Sequence, residues 1–110
     1  MEMGHYEKDG VLIITVEGRL DAGHSEILKK YFSDLVESYG KFVFDLAKME
    51  YLDSTGLGAI VFCLKSCSEN NKILKIANLT ERPRLIFEIT RAYKIFDVYD
   101  NLDSAVAACQ

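Results

Sequence analysis

Hydrophobic and polar residues follow two different periods along the chain, and each change of period marks an element. Residues 5–18 have a strand pattern on both sides of Asp9-Gly10, a dipeptide typical of a tight hairpin turn. The second run, Val11–Val16, is apolar on both faces, which predicts a central strand covered on each side. From His24 to Tyr39 the period is that of a helix, with one apolar stripe at positions 27, 28, 31, 32, 35, 36 and 39.

The rest of the chain alternates strands and helices. Strands are predicted at 42–46, 72–77 and 95–99, and helices at 54–69, from Thr80 onwards, and from Asn101 or Asp103 to Cys109. The helix after Thr80 is expected to bury a stripe formed by Leu85, Ile86, Ile89 and Tyr93. The order β-β-α-β-α-β-α-β-α predicts one α/β domain over residues 1–110, with a mixed, mostly parallel sheet, an N-terminal hairpin and about four helices.

Residues that could carry chemistry concentrate at the turn before the second predicted helix. Asp53, Ser54 and Thr55 are all good helix caps, because a side-chain oxygen can accept from the free N–H groups of the first turn. Gly56 and Gly58 keep side chains off that end and allow another molecule to approach the backbone. The positive end of a helix with an exposed hydroxyl suits phosphate chemistry. Three capping residues exceed what one helix end needs, so some of them are free for another purpose.

Catalysis and nucleotide binding fit this turn poorly. A nucleophile elbow, G-x-S-x-G, requires glycine where Leu52 stands, and no spacing pairs His5 or His24 with Ser54. The phosphate-loop motif is absent, and Gly56-Leu57-Gly58 lacks the later glycine of the dinucleotide-binding motif. Plain helix capping, which contributes about 1 kcal/mol, stays open as the alternative on the motif alone.

Composition and charge exclude several classes of function. The net charge is −4, and no run of lysine or arginine forms a basic stripe, which argues against a nucleic-acid partner. No apolar stretch approaches the roughly 18 residues of a membrane helix, and no secretory signal is visible, so we expect a cytoplasmic protein with no membrane partner. Cys63, Cys67 and Cys109 suit a reducing compartment and are expected in or near the core. No second Cys/His pair lies at ligand spacing, so neither a metal nor a cofactor is expected.

The turn and its surroundings resemble a known family. Asp45-Leu46, with Tyr51–Gly58 (Y-L-D-S-T-G-L-G), is similar to the signature of the STAS domain of sulfate transporters and anti-sigma factor antagonists. The similarity extends from Gly18–Ala22 to Asp103–Val106 and is strongest to the bacterial anti-sigma factor antagonists. It implies a STAS-like α/β fold, in agreement with the order of elements.

The resemblance also implies a phosphorylation switch. In that family the serine after the aspartate is phosphorylated by the partner anti-sigma factor, itself a serine/threonine kinase. The matching residue is Ser54, with Thr55 as the fallback acceptor. Asp21 matches a position beside the phosphorylation site, whose other surroundings are Asp53, Thr55 and Gly56. The unphosphorylated form is expected to bind the anti-sigma factor and free a sigma factor, and a phosphoserine phosphatase to reset the phosphorylated form.

The partner surface is expected to surround Ser54 and to continue along the second helix. A projection at 100° per residue turns Gly58, Ala59, Phe62, Ser66 and Glu69 away from the core, and Leu57, Ile60, Val61, Leu64 and Ser68 towards it. Gly58, Phe62 and Ser66 are the predicted partner-binding residues, with Phe62 as the apolar anchor. The alternative, in which Phe62 packs under a neighbouring loop or helix, stays open.

Two further expectations concern assembly. The free protein is expected to be a monomer that is not an enzyme. The alternative function is a STAS scaffold of a stressosome-like assembly or a lipid-transport complex.

The chain departs from the family pattern at Pro83 and at Thr90–Tyr93, where a glycine often follows the third helix, and both departures bear on partner identity more than on mechanism.

Overall fold

The computed structural model describes residues 1–110 and contains one mixed sheet of six strands with four α-helices. The strands are β1 (Glu2–Lys8), β2 (Val11–Leu20), β3 (Lys41–Asp45), β4 (Met49–Leu52), β5 (Ile73–Ala77) and β6 (Val98–Tyr99). The helices are α1 (Ser25–Leu35), α2 (Ser54–Glu69), α3 (Glu81–Ile89) and α4 (Leu102–Ala108), with short 3-10 turns at Val36–Ser38 and Ala92–Lys94. The predicted α/β architecture is confirmed.

The strand order is β1-β2-β3-β5-β6, and β4 pairs with the far end of β2. The β1–β2 hairpin is antiparallel, and every other pairing is parallel. The central position of β2 is confirmed. Its residues Leu12 and Ile14 belong to the core under α1, α2 and α3, whereas Val11 and Ile13 belong to a smaller core shared with α4.

Strand β4 is missing from the sequence-based prediction. It has only four residues, Met49–Leu52, and Glu50 is exposed, so no period is long enough to reveal it. It pairs with β2 beyond a register shift between Gly18 and Arg19, where Gly18 has a φ of +85°. This short strand ends directly before the cap of α2 and therefore fixes where that helix begins.

The predicted buried stripe of α3 is wrong for three of its four residues. Leu85, Ile89 and Tyr93 are exposed, and only Ile86 is partly buried. The core face of the helix is formed instead by Pro83 and Phe87, one turn apart. The Phe87 ring lies 5.5 Å from that of Phe96, centroid to centroid, and this aromatic contact stabilises the observed rotation of the helix.

Smaller differences concern the ends of elements. The first predicted helix passes into a 3-10 turn after Leu35, and Ile27 of its stripe is exposed. The last strand is Val98–Tyr99 alone, because Ile95 follows the turn after α3 and Phe96 packs into the core. No helix of the structure combines the length and the apolar character needed to cross a membrane.

Candidate functional site

A single residue caps the start of α2, and two neighbouring hydroxyls are left over. Asp53 has an extended backbone, and its carboxylate accepts a hydrogen bond from the N–H of Gly56 at 2.8 Å. Ser54 and Thr55 are the first two residues of the helix and are exposed. Neither hydroxyl forms a hydrogen bond. The side-chain hydrogen bonds at the start of α2 are made by Asp53 and Ser25. The expectation that capping would not use all three residues is therefore confirmed.

The two glycines of the motif have opposite surroundings. A Cβ atom on Gly56 would lie 2.2 Å from the carbonyl oxygen of Leu20, so only glycine permits this approach of α2 to the end of β2. A Cβ atom on Gly58 would meet nothing within 4 Å. Gly56 is thus required by packing inside the domain, whereas Gly58 leaves an uncovered stretch of helix backbone at the surface.

Ser25, which the sequence analysis did not single out, joins the two loops of the site. Its Oγ lies 2.9 Å from the carbonyl oxygen of Asp21 and 3.2 Å from that of Thr55, and its hydroxyl donates to this pair. The side chain is buried although it is polar. A serine at a helix start is normally interpreted as a cap, so its bridging role could not be recognised before the two loops were placed.

Asp21 is held as an anion in the loop after β2. Its carboxylate accepts from His24 Nδ1 at 2.7 Å and from the N–H of Gly23 at 3.0 Å, with Arg19 Nε at 3.7 Å. The hydrogen bond from His24 is the main reason why the pKa of Asp21 lies below its ordinary 3.8. Through Ser25, this loop is joined to the first turn of α2, and the role of Asp21 beside a phosphorylation site at Ser54 stays a prediction.

The outward face of α2 agrees with the prediction only in part. Gly58 is exposed, Ser66 is partly buried, and Phe62 is 41% exposed, so the alternative of a Phe62 packed under a neighbour is wrong. The ammonium group of Lys29 lies 5.3 Å from the centre of the Phe62 ring. Ala59 is buried and Ser68 is exposed, both against the prediction, because α2 packs on α1 as well as on the sheet.

A cationic and aromatic cluster holds the strand that leads into the site. The guanidinium carbon of Arg19 lies 3.9 Å from the centre of the Tyr51 ring, and that of Arg82 lies 5.6 Å from it. Arg19 and Tyr51 are opposite each other in the β2–β4 pairing. The cluster fixes β4 between β2 and the start of α3, two residues before Asp53. No sequence motif indicated it, because the three residues are brought together by the undetected strand.

The distribution of His, Cys, Asp and Glu side chains is the basis for expecting no metal site. No three His, Cys, Asp or Glu side chains converge in a way that could hold a metal ion. The three cysteines are buried, as predicted, and burial raises the pKa of Cys67 to about 11. The largest cavity is an open depression of about 750 Å³ whose lining mixes Glu17, Glu50 and Glu81 with Lys48 and Arg82.

The chain is similar in sequence and in fold to known proteins of one family. The family model described as the STAS domain matches residues 4–105. The anti-sigma-B factor antagonist of Bacillus subtilis is 31% identical over 85 residues, which cover 77% of this chain and 78% of that protein. A crystal structure from Thermotoga maritima, described as a candidate anti-sigma factor antagonist, has a TM-score of 0.90 at 26% identity, and the match covers 97% of this chain and 93% of the other.

A more distant structure shares the fold alone. It is the cell fate determinant SpoIIAA of Bacillus in its phosphorylated form, with a TM-score of 0.75 at 12% identity and coverage of 99% and 100% of the two chains. The family match spans nearly the whole domain, and the start of α2 has the geometry described above. The chain therefore belongs to the STAS domain family, among the bacterial anti-sigma factor antagonists.

Proposed function

We propose that this protein is a phosphorylation-controlled anti-sigma factor antagonist of the cytoplasm and has no catalytic activity of its own. Unphosphorylated, it binds an anti-sigma factor that is also a serine/threonine kinase, and the sigma factor is released. The kinase then phosphorylates Ser54, the complex dissociates, and a phosphoserine phosphatase restores the binding form. The observation that carries the proposal is the exposed Ser54 hydroxyl, which is free because Asp53 already caps the helix.

The start of α2 can accept a phosphate without refolding. A phosphoserine adds about −1.5 to −2 charges and three acceptor oxygens. At the first residue of a helix these oxygens face unpaired N–H groups and the positive end of the macrodipole. The cap bond from Gly56 to Asp53 involves neither Ser54 nor Thr55, so it persists after modification. The unmodified and modified domains should therefore have the same fold.

The same phosphate is unfavourable for a partner that packs against this end. It would add its charge to the carboxylates of Asp53 and Asp21, of which the second is held ionised by His24. Like charges brought together in an interface cost several kcal/mol. Since about 1.4 kcal/mol changes an affinity tenfold, this local charge is enough to dissociate a complex.

The partner surface extends from Ser54 along α2. Gly58 offers backbone without a side chain, and Phe62 offers an exposed aromatic ring beyond it. Aromatic side chains of this kind often dominate binding energy at the centre of an interface. Ser66 lies further along the same face and is partly buried, so it belongs to the rim of the proposed surface.

Phosphosite mapping tests the proposal. The protein is incubated with a candidate anti-sigma factor kinase and ATP, and the modified residue is identified by mass spectrometry. We expect phosphate on Ser54 in the wild type and in Thr55→Ala, and none in Ser54→Ala. Thr55 is the matched control, because it is the adjacent exposed hydroxyl on the same turn. Phosphate on Thr55 with Ser54 unmodified would contradict the proposed acceptor.

A further inference from the structure

The outer ridge of α3 presents apolar side chains to solvent. Glu81, Leu85 and Ile89 follow each other at intervals of four and form one ridge along the helix. Leu85 is 54% exposed and Ile89 is 68% exposed. Two more large apolar residues of the following segment, Tyr93 and Ile95, are also exposed. Single exposed apolar residues are ordinary, but several on one segment mark an interaction surface.

The two ends of this ridge carry opposite charges. Glu81 lies at the amino end, whereas Arg91 and Lys94 follow the carboxyl end, and all three are exposed. None of them forms an ion pair, since the pairs of this protein involve other residues. On α1, in contrast, two lysines pair with carboxylates of their own helix, as Lys29–Glu26 and Lys30–Asp34.

Arg91 occupies a backbone position that other residues adopt more easily. Its φ of 60° lies in the left-handed region, which glycine, asparagine and aspartate adopt at less cost than arginine does. Glycine would relieve this strain but would remove a cation from the end of the ridge. Arg91 therefore places a cation beyond the carboxyl end of α3, where it is exposed.

We propose that this surface, the α3 ridge, binds a second copy of this chain. An acidic end, an apolar centre and a basic end make the ridge complementary to itself when two copies run antiparallel. With a twofold axis outside the ridge, midway between Leu85 and Ile89 along the helix, Leu85 faces Ile89 of the second copy, and Glu81 comes near Arg91 and Lys94 of that copy. Each contact occurs twice, as in any symmetric dimer, and the two helix dipoles oppose each other favourably.

An anionic membrane fits the ridge less well than a second copy does. Glu81 lies on the ridge itself and Glu88 lies beside it, so two carboxylates would face the lipid headgroups. In the antiparallel dimer both carboxylates have cations opposite, because Glu88 comes near Arg84 of the second copy.

The contact involves little more than one helix from each chain, which is at the small end of specific interfaces. Association is therefore weak, and the dilute protein is a monomer.

Sedimentation equilibrium of the full chain tests the dimer directly. The average mass of the wild type should rise from that of a monomer towards that of a dimer between about 10 µM and about 1 mM protein. Ile89→Glu should raise the dissociation constant at least tenfold. The matched control is Ile27→Glu, since Ile27 is 52% exposed on α1, and it should leave the constant unchanged. Circular dichroism checks that both variants are folded.

Charge-reversal variants test the dimer a second time, without changing its apolar residues. Glu81→Lys should weaken the dimer, and the triple variant Glu81→Lys, Arg91→Glu, Lys94→Glu should restore it by reversing both members of each pair. A wild type that stays monomeric, a dimer that survives Ile89→Glu, or a triple variant that is not restored would overturn the proposal. Binding to anionic phosphatidylserine vesicles by a monomer, lost in Ile89→Glu, would assign the ridge to membranes instead. Because the substituted residues lie on α3 and the segment after it, outside the surface proposed around Ser54, these results are distinguishable from a failure of the phosphorylation switch.

Discussion

At the scale of single residues, two glycines of one motif perform different tasks. Gly56 is fixed by the carbonyl of Leu20, which leaves no room for a Cβ atom, and Gly58 is surrounded by open space. From the sequence both glycines have the same interpretation, access to the helix backbone, because spacing alone cannot reveal a contact with a strand more than thirty residues earlier. Only the placement of β2 against α2 separates them.

Alanine at these two positions should change stability in opposite directions. Gly56→Ala forces the start of α2 away from β2 and should lower the free energy of unfolding by about 1–3 kcal/mol. Gly58→Ala meets no neighbour and should raise it by about 0.5–1 kcal/mol, because alanine is the better helix former. Urea denaturation of both variants measures this. Equal effects of the two substitutions would contradict the assigned contacts.

The ionised carboxylate of Asp21 should contribute to the free energy of unfolding, and this contribution should be lost in acid. Its pKa is lowered in the folded state, chiefly by the hydrogen bond from His24, so the unfolded chain binds the proton more tightly. The contribution is fully present above the ordinary value of 3.8 and is lost as the pH falls through the lowered pKa. The wild type should therefore exceed Asp21→Asn in urea midpoint at pH 7, with a smaller difference at about pH 3. A difference that grows in acid would contradict this assignment.

At the scale of elements, helix existence could be predicted from periodicity, whereas helix rotation often could not. The stripe predicted for α3 includes Leu85 and Ile89, but the helix also contains Pro83 and Phe87 at the same spacing. The two alternatives differ by a rotation of the helix, and the contact between Phe87 and Phe96 decides between them. Strand β4 could not be predicted from the sequence, because four residues are too few to establish a period.

The outward face of α2 carries its own prediction. Phe62→Ser should weaken binding to the anti-sigma factor at least tenfold, because an exposed aromatic anchor of the proposed surface is lost. The matched control is Ile27→Ser, another exposed apolar residue on a neighbouring helix, which should leave this affinity unchanged. Isothermal titration calorimetry supplies both values. Unchanged binding by Phe62→Ser would remove Phe62 from the interface.

At the scale of the whole molecule, the order of elements was sufficient to predict the architecture. Alternating strands and helices imply parallel crossovers, and the Asp9-Gly10 turn gives the one antiparallel pair. The motif before α2 located the candidate site, but the bridge through Ser25 and the stacking of Arg19 on Tyr51 depend on residues that are distant in sequence. Such contacts exist only once the sheet is assembled.

We propose, as the molecule's central property, a binding surface that one phosphate switches off while the fold stays intact. The most direct measurement is the affinity of the anti-sigma factor kinase for the unmodified protein and for protein stoichiometrically phosphorylated at Ser54, with the folded state of both checked by circular dichroism. We predict a loss of at least about 100-fold, or about 2.7 kcal/mol, with identical spectra. Equal affinities, or a loss accompanied by unfolding, would contradict the account.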